Sequence, residues 1–147
     1  MEFISMTQHK IEQYKIDLYK YRIDTAIEDL EAAQQLTAEN KFRIANNRAY
    51  YSIFHAVTAV QSLDGKTYKK HKDAIGNFNK DYIHTGIFPK ELGRKISEAE
   101  DIRHESDYDD FYIASKDETL SLITTAKYLI NLIKKYCDAQ ISSATPN

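Results

Sequence analysis

Residues 41–63 read KFRIANNRAYYSIFHAVTAVQSL, and the spacing inside this stretch decides the fold. On a helical wheel of about 100° per residue, Phe42, Ala45, Ala49, Ile53, Ala56, Val60 and Leu63 make one apolar stripe. Tyr50, Phe54 and Val57 widen the stripe on one flank, so a helix built from these residues needs neighbours on more than one side. Only a narrow line, Arg48, Tyr51 and His55, remains polar. The pattern predicts a central helix from about Lys41 to Leu63, closed at Asp64-Gly65, where glycine can take the left-handed cap conformation.

Upstream, Ile16, Tyr19, Ile23, Ala26, Ile27, Leu30, Ala33 and Leu36 recur at three- and four-residue steps. They predict a long helix from near Ser5 to Gln8 through about Ala38. Downstream, Lys66-Thr67-Tyr68-Lys69-Lys70-His71-Lys72 reads as a basic connection without clear period. A third helix is expected from about His71 to His84, with Ala74, Ile75, Phe78, Tyr82 and Ile83 facing inward. Gly86 closes it, and Pro89 suits the first turn of a fourth helix carrying Leu92, Ile96, Ala99 and Ile102.

After Arg103 the pattern breaks into what reads as a polar loop over residues 105–110, rich in Asp and Ser. Ser115 with Glu118 forms a capping-box pattern that opens a last helix through Leu122, Ala126, Leu129, Ile130, Ile133 and Tyr136. Residues 138–147 show no repeated apolar face and are expected to be a disordered tail, leaving residues 1–137 as one helical domain. The expected class is an all-α, up-and-down bundle of four to five helices.

Composition narrows the function classes. With 147 residues the chain is the size of one ordinary domain. Four glycines and two prolines are too little punctuation for a β-sandwich or barrel. The single thiol, Cys137, cannot close an intrachain disulfide, which fits a reducing cytoplasm. No run of 18 apolar residues and no basic-then-apolar start supports membrane spanning or export. A net charge of -2 argues against coating nucleic acid by bulk electrostatics, so any RNA contact must be local.

The run Asn46-Asn47-Arg48-Ala49-Tyr50-Tyr51-Ser52-Ile53-Phe54-His55-Ala56 resembles the second-helix segment of a prokaryotic branch of the HEPN family. Lys69-Lys70-His71 and Arg103-x-x-x-Asp107-Tyr108 follow in that branch's order and at similar spacing, and the likeness spans roughly Tyr14 to Tyr136. The resemblance implies a helical up-and-down bundle, frequent homodimerisation and a setting beside a minimal nucleotidyltransferase in toxin–antitoxin pairs. Some members are metal-independent ribonucleases that use an arginine followed after four to six residues by a histidine.

Counted from Arg103, the three positions for that histidine hold Tyr108, Asp109 and Asp110. Asp107 and Tyr108 can orient Arg103, but an ionised carboxylate is a poor proton donor to a leaving alkoxide. A second literal match pairs Arg48 with His55. Two turns of helix separate them by roughly 10 Å, so they would straddle a phosphate. Histidine suits acid–base work near neutral pH, and arginine suits a phosphorane.

Each candidate has a plainer reading. Arg48, Tyr51 and His55 can be a hydrogen-bonded stripe that fixes helix packing or a dimer contact, or they can face a ligand. Arg103 with Asp107 can be a helix-terminal ion pair or a functional site, and Lys69, Lys70 and His71 a solvated loop or a phosphate hold. The eleven tyrosines suit an interface or the edge of a core. Acidic residues near His104 lack the spacing of a calcium loop, and no zinc or nucleotide-loop motif appears, so no metal or cofactor is expected.

The resulting expectation is an interaction module linked to nucleotides or RNA, homodimeric and paired with a nucleotidyltransferase. Arg103, His104, Asp107 and Tyr108 are its candidate catalytic group, and Arg48, Tyr51, His55, Lys69, Lys70 and His71 its groove. Two alternatives stay open: a metal-independent ribonuclease using His104 or His55, and a plain helical scaffold.

Overall fold

The computed structural model describes residues 10–144. Five α-helices follow one another: α1 (Gln13–Ala38), α2 (Phe42–Leu63), α3 (His71–Phe78), α4 (Glu91–Tyr108) and α5 (Lys116–Ala144). A π-helical turn, Asn79–Ile83, continues α3. The described residues contain no strand.

The crowded apolar circumference of α2 has the predicted consequence: this helix packs against every other α-helix. Ala45, Ala49, Tyr50, Ile53, Ala56, Val57 and Val60 on α2 are fully buried. Ile23 and Ala26 of α1, Leu92 and Ile96 of α4, and Leu129 and Ile133 of α5 close around them in a continuous core. Asn40 takes φ 60° between α1 and α2, and Gly65 takes φ 77° just beyond α2. Glycine is favoured at Gly65 by this backbone conformation, since the nearest atom a Cβ would meet is the movable end of the Lys15 side chain.

Three boundaries differ from expectation, and a fourth falls outside the described residues. The expected start of the first helix lies outside the described residues, and the described helix begins at Gln13. Pro89 precedes the fourth helix; its carbonyl accepts the Leu92 N–H at 3.1 Å in the entering turn.

The expected loop at residues 105–110 is helical as far as Tyr108. Tertiary partners override the turn preference of Ser106 and Asp107. The Ser106 hydroxyl accepts from Asn46 Nδ2 at 3.1 Å, and the Asp107 carboxylate accepts from Asn47 Nδ2 at 3.0 Å. The expected tail at 138–147 is helical through Ala144, and its last three residues lie outside the described ones. Cys137 and Ala144 are buried and Ile141 packs on the core, a stripe at four- and three-residue steps that extends the helix face.

The Ser115–Glu118 capping box forms as its pattern predicts: Glu118 N donates to Ser115 Oγ at 3.1 Å and Ser115 N to Glu118 Oε1 at 3.2 Å. No helix among the described residues is long and apolar enough to cross a membrane.

Candidate functional site

The polar seam of α2 meets a carboxylate from α1. Asp29, on the otherwise apolar stripe of α1, accepts from Arg48 Nη1 at 3.0 Å through one oxygen and lies 2.8 Å from His55 Nδ1 through the other. Arg48 and His55 are thus held at the ends of one anion, two turns apart on the same helix. A carboxylate only accepts, so Nδ1 carries the proton of this contact and His55 Nε2 is left for other partners. Arg48 also donates to Asn47 Oδ1 at 2.8 Å.

Helix α4 delivers Arg103. Its guanidinium carbon lies 4.7 Å from the Tyr50 ring centre and 5.8 Å from that of Tyr51. Arg48 lies 5.2 Å from the same Tyr51 ring, which therefore has two guanidinium groups within 6 Å of its centre. Asp107, one turn beyond Arg103, lies 3.6 Å from it and ties the end of α4 to α2 through Asn47. The Tyr50 hydroxyl and Arg103 Nε are buried here without completing a sound hydrogen bond.

His71, the first residue of α3, completes the cluster. Its ring stacks on Phe54 with centres 3.8 Å apart and meets Tyr51 edge-on at 5.7 Å. Burial holds the His71 pKa below the ordinary histidine value, and the positive charges of Arg103 and His55 push the same way against Glu100. His71 is therefore neutral at pH 7 and able to accept a proton. Burial likewise pushes the Tyr50 hydroxyl up to about 12, so it stays protonated.

The residues expected to matter separate into groups. Arg48, Tyr51, His55, His71 and Arg103 come together in one cluster, with Asp107 at its edge. Lys69 lines a groove next to it, whereas Lys70 is exposed at the entry to α3. His104 and Tyr108 face elsewhere: both are exposed, and their rings pair with each other at 4.8 Å. The four-residue catalytic group read from the sequence is therefore divided, because positions one apart on a helix point about 100° apart.

Asp29, Asn47 and Tyr50 were not singled out from sequence. The usable signal for Asp29 was a carboxylate at the three- and four-residue step between Ala26 and Ala33 on a buried stripe.

A second surface lies beyond α4. Arg43 donates to the carbonyls of Ser106, Asp109 and Tyr112 and so fixes the 109–115 connection. That fixed loop presents Phe111 and Ile113 at 93% and 88% exposure. Among the described residues no group of three or more His, Cys, Asp and Glu side chains gathers to hold a metal ion. Cys137 is buried, and burial raises its pKa, so its thiol is unreactive at neutral pH.

A seam with two guanidinium groups, aromatic faces and two histidines can neutralise a phosphate and stack a ring beside it. Comparisons with known proteins agree with the architecture. The chain is 33% identical over 124 residues, 84% of each chain, to a Methanocaldococcus jannaschii protein named "Putative toxin MJ0142". A Thermotoga maritima protein named "UPF0332 protein" is 27% identical over 121 residues, 82% of this chain and 92% of its own.

The crystal structure of an archaeal HEPN homologue superposes with a TM-score of 0.65, covering 81% of this chain and 97% of that one at 16% identity, which shows a shared fold. The HEPN domain family profile matches residues 19–136, nearly the whole bundle from Tyr19 on α1 to Tyr136 on α5, and the chain belongs to that family.

Proposed function

We propose that this chain is an interaction module for phosphate-bearing ligands, nucleotide or RNA, and one half of a cytoplasmic toxin–antitoxin pair whose other half is a minimal nucleotidyltransferase. The observation that carries the ligand class is that Arg48 and Arg103 both lie against the Tyr51 ring, at 5.2 and 5.8 Å from its centre, with His55 and His71 beside it. Two guanidinium groups in one seam supply planar donors for a phosphate without a basic surface overall, in keeping with a net charge of -2. Relatives named as candidate toxins support the pairing. The fixed loop with exposed Phe111 and Ile113 supports a protein partner, a second copy or the nucleotidyltransferase.

Two measurements test the proposal. The chain should copurify with the product of an adjacent nucleotidyltransferase gene, and short RNA should raise its melting temperature in a way that Arg103→Ala abolishes. A chain that does neither is a plain helical scaffold, and the proposal is wrong.

A second reading, metal-independent RNA cleavage, is favoured by one observation: a carboxylate-oriented His55 and a neutral His71 both lie against the Tyr51 ring. In it His71 accepts the 2′-hydroxyl proton as that oxygen attacks phosphorus, and His55, entering the step with a proton on Nε2 as well as on Nδ1, gives the Nε2 proton to the departing 5′-oxygen. Cleavage in EDTA that disappears in both His55→Ala and His71→Ala supports this reading. Intact RNA after incubation with folded protein excludes it.

A further inference from the structure

The connection between α4 and α5 carries its largest apolar side chains outward. Phe111 and Ile113 stand almost fully in solvent, Tyr108 at the end of α4 is exposed beside them, and none of the three belongs to the core. We propose that this connection is the docking surface for a cationic amphipathic segment of a partner protein, with apolar side chains against Phe111 and Ile113 and lysines or arginines against the surrounding acids. The inference deepens the pairing proposed above: it rests on reading the connection as a partner surface and owes nothing to the ligand reading of the arginine seam.

Order comes first. Arg43 holds three carbonyls, Asp109 Oδ1 accepts from Phe111 N at 3.0 Å, and the Tyr112 hydroxyl donates to Glu118 Oε1 at 2.5 Å. Exposure alternates along the segment, with Tyr112 and Ala114 half-buried and Phe111, Ile113 and Ser115 exposed. With its inner side pinned in this way, the loop cannot turn Phe111 and Ile113 inward without breaking those bonds. The ordering cost is met before a partner arrives, which favours association. Aromatic anchors of this kind carry a large share of the energy of an interface once a partner buries them.

The apolar surface continues onto α2. A hollow of about 360 Å³ is lined in part by Phe42, Ile44 and Ala114, and Ile44 is exposed. The cations of its lining are already engaged, Lys41 with Glu39 at 3.2 Å and Arg43 with the loop carbonyls. A patch of exposed apolar side chains that extends over two elements marks a protein interface.

Charge selects the partner. Residues 105–118 hold six carboxylates, Glu105, Asp107, Asp109, Asp110, Asp117 and Glu118, against one cation, Lys116. The segment therefore carries a formal charge of -5, and with -2 for the whole chain the other residues sum to +3. Asp107 is matched by Arg103 and Glu118 is engaged by Tyr112 and the capping box, whereas Glu105, Asp109 and Asp110 have no ion-pair partner among the described residues. Unmatched acids around an apolar patch steer and hold a segment in which basic and apolar side chains alternate. The same field repels the phosphates of RNA and of anionic lipids, and a second copy presenting this face would set -5 against -5.

NMR titration of the full chain with a synthetic helical peptide of leucine and lysine, and with its leucine and glutamate counterpart, tests the proposal. The lysine peptide should shift the amides of residues 108–114 and of Ile44 and bind about tenfold tighter than the glutamate peptide, an advantage that about 1 M salt removes. Phe111→Ser with Ile113→Ser should weaken its binding about tenfold, and so should Glu105→Gln with Asp110→Asn. All four side chains are exposed, so both double variants should keep the native melting temperature. Shifts centred elsewhere, equal binding of the two peptides, or native affinity in either double variant overturns the proposal. Copurification of the same variants with the adjacent nucleotidyltransferase separates the surface from the pairing. A complex that survives both sets of substitutions keeps the pairing and refutes the surface, whereas peptide binding at the loop of a chain that forms no complex keeps the surface and refutes the pairing.

Discussion

Asp29 on α1 and His55 on α2 are joined at 2.8 Å, and the other Asp29 oxygen holds Arg48 at 3.0 Å. The carboxylate is largely buried whereas Arg48 and His55 keep 38% and 30% of their side chains exposed, so a buried anion presents two cationic or proton-bearing groups to solvent. Asp29 is a positioning residue: it fixes which histidine nitrogen bears the proton and where the guanidinium points.

Asp29→Asn tests that role. An amide can offer His55 either an acceptor or a donor, so the ring loses its enforced tautomer. Long-range proton–nitrogen NMR should show His55 protonated on Nδ1 in the native chain and a mixture in the variant. Stability should fall by about 1 kcal/mol, because both partners can rehydrate. An unchanged tautomer would show that Asp29 does not control the ring.

His71 predicts a pH dependence. Its pKa is lowered by folding, so between the folded value and the ordinary 6.5 the unfolded chain binds more protons. The stabilising contribution is therefore fully present above about pH 6.5 and is lost as pH falls through the folded value. Urea midpoints measured from pH 7.5 to 5 should decline, and His71→Gln should flatten the part of the decline that His71 causes. Equal slopes in the two chains would refute the assignment.

Arg103→Lys keeps the charge and removes the planar group set over Tyr50 and Tyr51. A lysine ammonium cannot give two parallel donors to a phosphate. Phosphate or RNA affinity is expected to fall about tenfold, read by calorimetry, with a stability change of about 1 kcal/mol from the weakened ring contacts. Native affinity in the variant would mean that a point charge suffices.

Most of the fold is legible in the spacing of residues 41–63, because a helix with too much apolar circumference has to be central. What escaped the reading depends on contacts between distant residues. Ser106 and Asp107 prefer turns by themselves, and only Asn46, Asn47 and Arg43, about sixty positions away, keep α4 helical there. Within the site, Arg48, Tyr51 and His55 could be found as a polar line on one helix, but Asp29 joins them only across the α1–α2 interface. His104 adjoins Arg103 in sequence and Tyr108 shares its family-like segment, yet both are exposed and pair with each other instead.

Asn46 gives a stability prediction of the same kind. It is fully buried, donates to Ser106 Oγ at 3.1 Å and accepts from Thr119 Oγ1 at 2.7 Å, linking α2 to α4 and α5. Asn46→Leu is similar in size but leaves the Ser106 hydroxyl without its donor, whereas Thr119 retains the Ser115 carbonyl at 3.1 Å. A loss of about 1–3 kcal/mol is expected in urea unfolding. A neutral result would show that apolar packing replaces the network.

Arg43 makes the sharpest separation between local order and global stability. Its guanidinium serves the carbonyls of Ser106, Asp109 and Tyr112, while the Asp109 side chain accepts from Phe111 N at 3.0 Å. Arg43→Ala frees three carbonyls at a partly exposed site where water can replace the lost donors, so the core should stay intact. Amide exchange at residues 109–114 should accelerate by at least tenfold while exchange at Ile53 and Leu129 is unchanged. Because the loop carries Phe111 and Ile113, any association through those side chains should weaken together with its order. Acceleration spread evenly over α2 and α5 would instead make Arg43 part of the global fold.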